Sequence, residues 1–150
     1  MNKIFDLIEL KELAEEVKKI SKKKNIILLF GDLGAGKTTF VREYCQSINI
    51  VNQVSSPSFL ILNTYYSKNN FQVNHFDLYR VKDIFELETI GFYECLNQSN
   101  SINFIEWPEK FISELNKFED RTLSIYFKFI EDNINQREIK LDRKSTRLNS

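Results

Sequence analysis

Hydrophobic positions recur along the chain in two rhythms. Leu10, Leu13, Ala14, Val17 and Ile20 stand at helical spacing, so Glu9–Ile20 is predicted as a helix. Asn25–Phe30, NIILLF, is a short, almost continuous apolar run of the kind that forms a buried central strand. It leads straight into a glycine-rich stretch. Beyond that, Phe40, Val41, Tyr44, Cys45 and Ile48 restore helical spacing and predict a helix over Lys37–Ile48. Ser56-Pro57-Ser58 breaks the chain. Phe59–Tyr66 and Phe71–Leu78 follow as extended segments around a polar turn, Ser67–Asn70, a pairing that suits a hairpin. Asp83 is placed to cap a helix carrying Ile84 and Leu87, and Gly91 breaks it before a short segment through Leu96. Ser101–Glu106 reads as another strand. Pro108 suits the first turn of a helix through Leu115. Leu123, Ile125, Phe127 and Phe129 alternate within Arg121–Ile130, the pattern of a half-buried strand, and Gln136–Leu141 is expected to return as an edge strand. No internal repeat or linker interrupts this order. It predicts a single α/β domain with a mixed central sheet flanked by helices.

The chemistry concentrates between the first strand and the second helix. Gly31-Asp32-Leu33-Gly34-Ala35-Gly36-Lys37-Thr38 fits G-x-x-x-x-G-K-[ST], the phosphate-binding P-loop pattern. Its glycines let successive N–H groups turn inward toward phosphate oxygens, and the helix that follows adds unpaired donors and a positive dipole end. Lys37 is suited to the β and γ phosphates of a nucleotide, and the Thr38 hydroxyl to a magnesium ion. The strand before and the helix after are the context this motif requires. A nucleotide-hydrolysing site also needs acids near the metal and the attacking water. Asp77, after the run Phe71–Phe76, and Glu106, after Ser101–Ile105, stand at strand ends, and ligands of open α/β sheets lie outside the carboxyl ends of strands. Either acid alone reads equally well as a helix cap or surface charge; their shared position favours a site role. His75, the sole histidine, reads more readily as structural than as catalytic. Trp107 either packs on the core or flanks the nucleotide.

Composition narrows the class. With 150 residues, 42% of them hydrophobic and 28% charged, the chain suits one folded domain rather than a disordered one. No apolar run nears the roughly 20 residues that span a bilayer, and the N-terminal stretch mixes Asp and Glu into its apolar residues, unlike a secretory signal. Cys45 and Cys95, each among apolar neighbours in a predicted helix, are expected as buried, reduced thiols of a cytoplasmic protein, too few for a cysteine-based zinc site. Lysines 18, 19, 22, 23 and 24 crowd the end of the first helix, where cations favour the helix dipole. Residues 142–150, DRKSTRLNS, are what GAT CGG AAG AGC ACA CGT CTG AAC TCC encodes, a string like a sequencing-library adapter. They are expected to be a read-through tail, with residues 1–141 as the ATPase domain. Setting the tail aside lowers the basic count from 21 to 18 and the acidic count from 21 to 20, a net charge of about −2 with no overall bias toward nucleic acid.

Missing motifs also count. The guanine-reading N/T-K-x-D pattern is approached only by Asn116-Lys117-Phe118-Glu119, and no D-x-x-G segment occurs, so a guanine-specific switch is disfavoured. A small-molecule kinase and a nucleotide-dependent binding module remain as alternatives. Arg42 and Arg80 are the only arginines before Arg121, too few for an arginine-rich kinase lid.

Four segments in order, GDLGAGKTTFVR (Gly31–Arg42), SSPSFLILNTY (Ser55–Tyr65), HFDLYR (His75–Arg80) and IEWPEK (Ile105–Lys110), resemble the TsaE (YjeE) family. Its members are bacterial P-loop ATPases needed for threonylcarbamoyladenosine in tRNA. The resemblance runs from about residue 5 to residue 130, and HFDLYR followed by IEWPE is its most specific part. It implies that Gly31 through Thr39 wrap the phosphates of ATP, with Thr38 and Glu106 at Mg2+ and Trp107 close to the nucleotide. It implies that Asp77 is the essential acid, acting on the hydrolytic water or through the metal, and that Ser56–Phe59 is a mobile segment near the γ-phosphate. Ser58 departs from the threonine usual in the family but keeps a hydroxyl. The resemblance further implies partners, TsaD and TsaB, which transfer the threonylcarbamoyl group while this subunit resets the complex. Hydrolysis would be weak without them, and tRNA would be met mainly through the complex.

Overall fold

The computed structural model describes residues 2–6, 9–50, 52 and 54–142. Strand β1 (Asn2–Asp6) precedes helix α1 (Leu10–Ile20), strand β2 (Ile26–Phe30), helix α2 (Lys37–Ser47) and the hairpin of β3 (Leu62–Tyr66) and β4 (Gln72–Asp77). Two short helices, α3 (Ile84–Thr89) and α4 (Phe92–Asn97), lead to β5 (Ser101–Glu106). A 3-10 turn at Pro108–Phe111, the single helical turn α5 (Ile112–Leu115) and a second 3-10 stretch lead to β6 (Thr122–Ile130) and β7 (Asn133–Asp142). The strands form one seven-stranded sheet in the order β1-β7-β6-β2-β5-β4-β3. β6, β2, β5 and β4 run parallel at its centre, and β3, β7 and β1 are added antiparallel. This is the mixed α/β sheet expected from the order of elements.

The two-residue period of the strands sorts the core onto the sheet's two faces. From β2, Ile27 and Leu29 join α1 and α2, while Ile26, Leu28 and Phe30 join α3, α4 and α5. α1 forms because Leu10, Leu13, Ala14 and Val17 make one stripe, all fully buried. Asp83 caps α3 as predicted, its Oδ1 accepting the Glu86 N–H at 3.1 Å.

Three expectations need correction. β7 is not an edge: β1 covers its outer side, with Phe5 opposite Arg137. The polar sequence of β1 gave no strand signal, yet its Phe5 is buried in the α1–α2 core. The extended segment expected from Phe59 begins only at Leu62, because residues 58–60 turn back on Pro57, whose carbonyl accepts the Leu60 and Ile61 N–H groups. Of the two thiols, both free, Cys45 is buried but Cys95 is only half-buried. Of the suspected tail, Asp142 ends β7 and residues 143–150 lie outside the described residues.

On the face of Phe76, one polar rung crosses three strands. Asn74 Nδ2 donates to Asn103 Oδ1 at 2.9 Å, and Asn74 Oδ1 accepts from Gln72 Nε2 and Thr64 Oγ1 at 2.8 and 3.1 Å. Asn74 and Asn103 are fully buried and directly opposite in register, so a slip of one residue would leave buried amides unpaired. Asn74→Ala is therefore expected to lower unfolding free energy by about 1–3 kcal/mol, since it strands the partner groups. Urea denaturation checks this; a loss below about 0.5 kcal/mol, within the ordinary range of surface changes, would remove the rung from the stabilising features.

Candidate nucleotide site

The period that builds the core also aims the acids. In β4, Val73, His75 and Asp77 share a face, and in β5 so do Ile102, Phe104 and Glu106; Val73, Ile102 and Phe104 pack into the α1–α2 core. Asp77 and Glu106 are thereby sent to the side of the sheet that carries α2. They are direct neighbours in register, and Glu106 is also opposite Leu29, two residues before Gly31. Both acids are nearly buried, 4% and 3% exposed, at the carboxyl edge of the parallel strands.

The loop between β2 and α2 wraps this edge. Gly31 passes so close to β6 that a Cβ would stand 2.8 Å from the Phe127 carbonyl oxygen. Gly36 precedes α2 with φ +113°, a backbone that favours glycine. Leu33, Gly34, Gly36, Lys37, Thr38 and Thr39 line one side of a cavity of about 400 Å³, and Ser56, Ser58, Asp77, Tyr79, Arg80, Glu106 and Trp107 line the rest. Gly31, Asp32 and Ala35 do not line it. They shape the loop instead: the Asp32 carbonyl accepts the Ala35 N–H at 3.0 Å, and the Gly31 carbonyl accepts from Lys37 Nζ at 2.5 Å.

Inside the cavity Thr38, Glu106, Asp77 and Ser56 are paired. Thr38 Oγ1 donates to Glu106 Oε2 at 2.8 Å. On Asp77, Oδ2 accepts from Ser56 Oγ at 3.1 Å and Oδ1 accepts the Tyr79 N–H at 3.0 Å. Lys37 Nζ lies 3.5 Å from the centre of the Trp107 ring, a cation–π contact. Burial pushes the Lys37 ammonium below its ordinary value, while Glu106, Glu109, Asp77 and Asp32 act in the opposite direction. Trp107 lines the cavity and is not a member of either core cluster. Its backbone is left-handed, φ +57°, an uncommon conformation for a bulky residue and most unusual before a proline. Such outliers gather at functional sites.

Two residues here exceed what the sequence disclosed. His75 is fully buried beneath Glu106, its Nε2 donating to Oε2 at 2.5 Å. Its Nδ1 is buried without a partner among the described residues. That assigns the proton to Nε2, because an orphaned acceptor costs less than an orphaned N–H. His75 thus orients an acid and does not reach the cavity wall. The signal was available: His75 shares the strand face of Asp77, two residues away. Arg137 is the second, reaching the loop from β7, and no local pattern marked it.

The Thr38 hydroxyl and the Glu106 carboxylate, 2.8 Å apart, form a hard-oxygen pair of the kind that suits Mg2+. That ion takes one or two protein oxygens and completes its shell with water and substrate phosphates. Among the described residues no group of three or more His, Cys, Asp or Glu forms a metal site independent of a substrate. Nor is any helix among them long and apolar enough to cross a membrane.

A family model described as "Threonylcarbamoyl adenosine biosynthesis protein TsaE" matches residues 5–139. The chain belongs to the TsaE family. Among relatives named "tRNA threonylcarbamoyladenosine biosynthesis protein TsaE", one from Aquifex aeolicus is 33% identical over 135 residues, covering 89% of this chain and 88% of that protein. One from Rickettsia felis is 43% identical over 106 residues, 67% of this chain, and the match spans only 58% of that relative's length. Among solved structures, Bacillus subtilis YdiB matches with a TM-score of 0.67 at 25% identity, covering 94% of this chain and 83% of that one. The four segments that carried the resemblance in the sequence thus stand in a TsaE-family chain, and all four meet at one cavity, the second through Ser56 and Ser58.

Proposed function

We propose that this chain is the ATP-binding and ATP-hydrolysing subunit of a tRNA threonylcarbamoyladenosine pathway, working in the cytoplasm with a TsaD–TsaB transferase that it resets rather than replaces. The observation that carries the reading is the convergence of the P-loop, Thr38–Glu106 and Asp77 on a single cavity in a TsaE-family chain. Loop N–H groups and the start of α2 would receive the phosphates of ATP, with Lys37 at the β and γ groups. Thr38 and Glu106 would hold Mg2+, which when bound neutralises charge developing on the phosphate oxygens. Asp77, oriented by the Tyr79 N–H and the Ser56 hydroxyl, would position a water for in-line attack on the γ-phosphorus and accept its proton. The new P–O bond forms as the bond to the β-phosphate oxygen breaks, leaving ADP and phosphate. Trp107 would stand beside the nucleotide, shielding Lys37.

The rim of the cavity supports a partner-dependent role. Leu33, which lines it, is 84% exposed, and Phe59, whose ring packs on the lining residue Arg80, is 80% exposed; exposed apolar side chains beside a site suit a partner's surface. The test is phosphate release from magnesium-ATP with and without purified TsaD–TsaB, using wild type and Lys37→Ala. Weak release alone, stimulated by the partners and lost in the variant, is expected. Release indifferent to the partners would separate the ATPase from the tRNA pathway. Transfer to an added metabolite would favour a kinase, and tight binding with no release in any mixture would favour a binding module.

A further inference from the structure

A loop whose N–H groups point inward must turn its carbonyls outward, and buried carbonyls need donors as much as phosphates do. The carbonyls of this P-loop can be followed one by one. Gly31 O accepts from Lys37 Nζ, Asp32 O from the Ala35 N–H, and Gly36 O from the Phe40 N–H in the first turn of α2. Leu33 is at the exposed tip. Gly34 and Ala35 remain, and their carbonyls are met by one side chain from the opposite end of the sequence. Arg137 donates from Nε to Ala35 O at 3.0 Å and from Nη2 to Gly34 O at 3.3 Å. Its third nitrogen, Nη1, donates to its own hairpin, to Ile134 O at 2.6 Å and Gln136 O at 2.8 Å. The guanidinium also lies 4.2 Å from the centre of the Phe129 ring, and the residue is 5% exposed. No acid is paired with it among the salt bridges of the described residues.

We infer that Arg137 is a positioning residue for nucleotide binding: it fixes the outward carbonyls of Gly34 and Ala35, so that the inward N–H face of the P-loop is preformed, and adds a positive charge behind it. The inference rests on the reading of this loop as a nucleotide site. The planar fork matters. Two successive carbonyls and the β6–β7 hairpin are engaged at once, which a lysine with one flexible ammonium does not reproduce. Nucleotide binding is thereby tied to the hairpin, and by linkage an occupied loop must hold the hairpin more firmly than an empty one.

The test uses the full chain and titrates ATP and ADP, with magnesium, by calorimetry against wild type, Lys37→Ala, Arg137→Gln and Arg137→Lys. Amide hydrogen exchange is followed in the same proteins without nucleotide. Arg137→Gln is expected to weaken ATP and ADP about tenfold or more. It should speed exchange at residues 33–37 while the amides of β2 and β5 keep their protection, which general destabilisation would not allow. Arg137→Lys is expected to fall between. Should Arg137→Gln not fold, Arg137→Lys carries the test through the same two readouts. Wild-type affinity and wild-type exchange at 33–37 in a folded Arg137 variant, with Lys37→Ala impaired, overturns the positioning role alone. Wild type that binds neither nucleotide overturns the site reading on which it rests.

Discussion

Lys37→Ala is expected to weaken ATP binding by about 10- to 150-fold, the equivalent of roughly 1.5–3 kcal/mol for a hydrogen bond to a charged group. The lysine is nearly buried, 4% exposed, with its ammonium held between the Gly31 carbonyl and the Trp107 ring. Those contacts set the side chain at the mouth of the loop before any phosphate arrives, so little rotamer entropy is left to lose on binding. Burial favours the neutral amine and the surrounding acids favour the cation. A polyphosphate in the cavity would add to the second influence. The alanine variant removes the charge, the hydrogen bond to Gly31 and the contact with Trp107 together. Fluorescence of Trp107, the only tryptophan, gives a local reading beside calorimetry. Unchanged affinity would sink the assignment of this loop to phosphate.

How far the sequence led depended on the range of the interactions involved. The loop was legible because its chemistry is local: glycines, lysine and threonine at fixed spacing between an apolar run and a helical stripe. Asp77 and Glu106 were legible in part because strand ends could be located; that the two are register neighbours follows from β4 pairing with β5, which one-dimensional patterning does not contain. Trp107 had two readings because a left-handed residue before a proline has no pattern that announces it. β1 and the interior position of β7 escaped for a different reason. Asn2–Asp6 is a strand only because β7 offers it an edge more than a hundred residues away, and its own propensity is weak. Arg137 lay in a segment too generic to single out. Its partners are backbone carbonyls, which carry no residue type, so no motif search finds them.

Asp77→Asn separates binding from chemistry more sharply than any other single change here. Asparagine keeps the size of the side chain, and its carbonyl oxygen still accepts one of the two hydrogen bonds that orient it, from the Tyr79 N–H or from Ser56 Oγ. What it loses is the second carboxylate oxygen and the capacity to take a proton from water. Phosphate contacts made by the loop, Lys37 and Thr38 do not pass through Asp77, so ATP affinity is expected to stay within about threefold of wild type, less than half of one tenfold step in free energy. Turnover in the presence of partners is expected to fall by about 10²- to 10⁴-fold, the range typical of general acid–base groups. Single-turnover phosphate release under saturating ATP measures the chemical step without interference from product release. Normal turnover in this variant would remove Asp77 from the mechanism and leave Glu106, oriented by His75 and Thr38, as the remaining acid at the cavity. A parallel loss of affinity would instead place Asp77 among the groups that hold the nucleotide, through the metal rather than through the water.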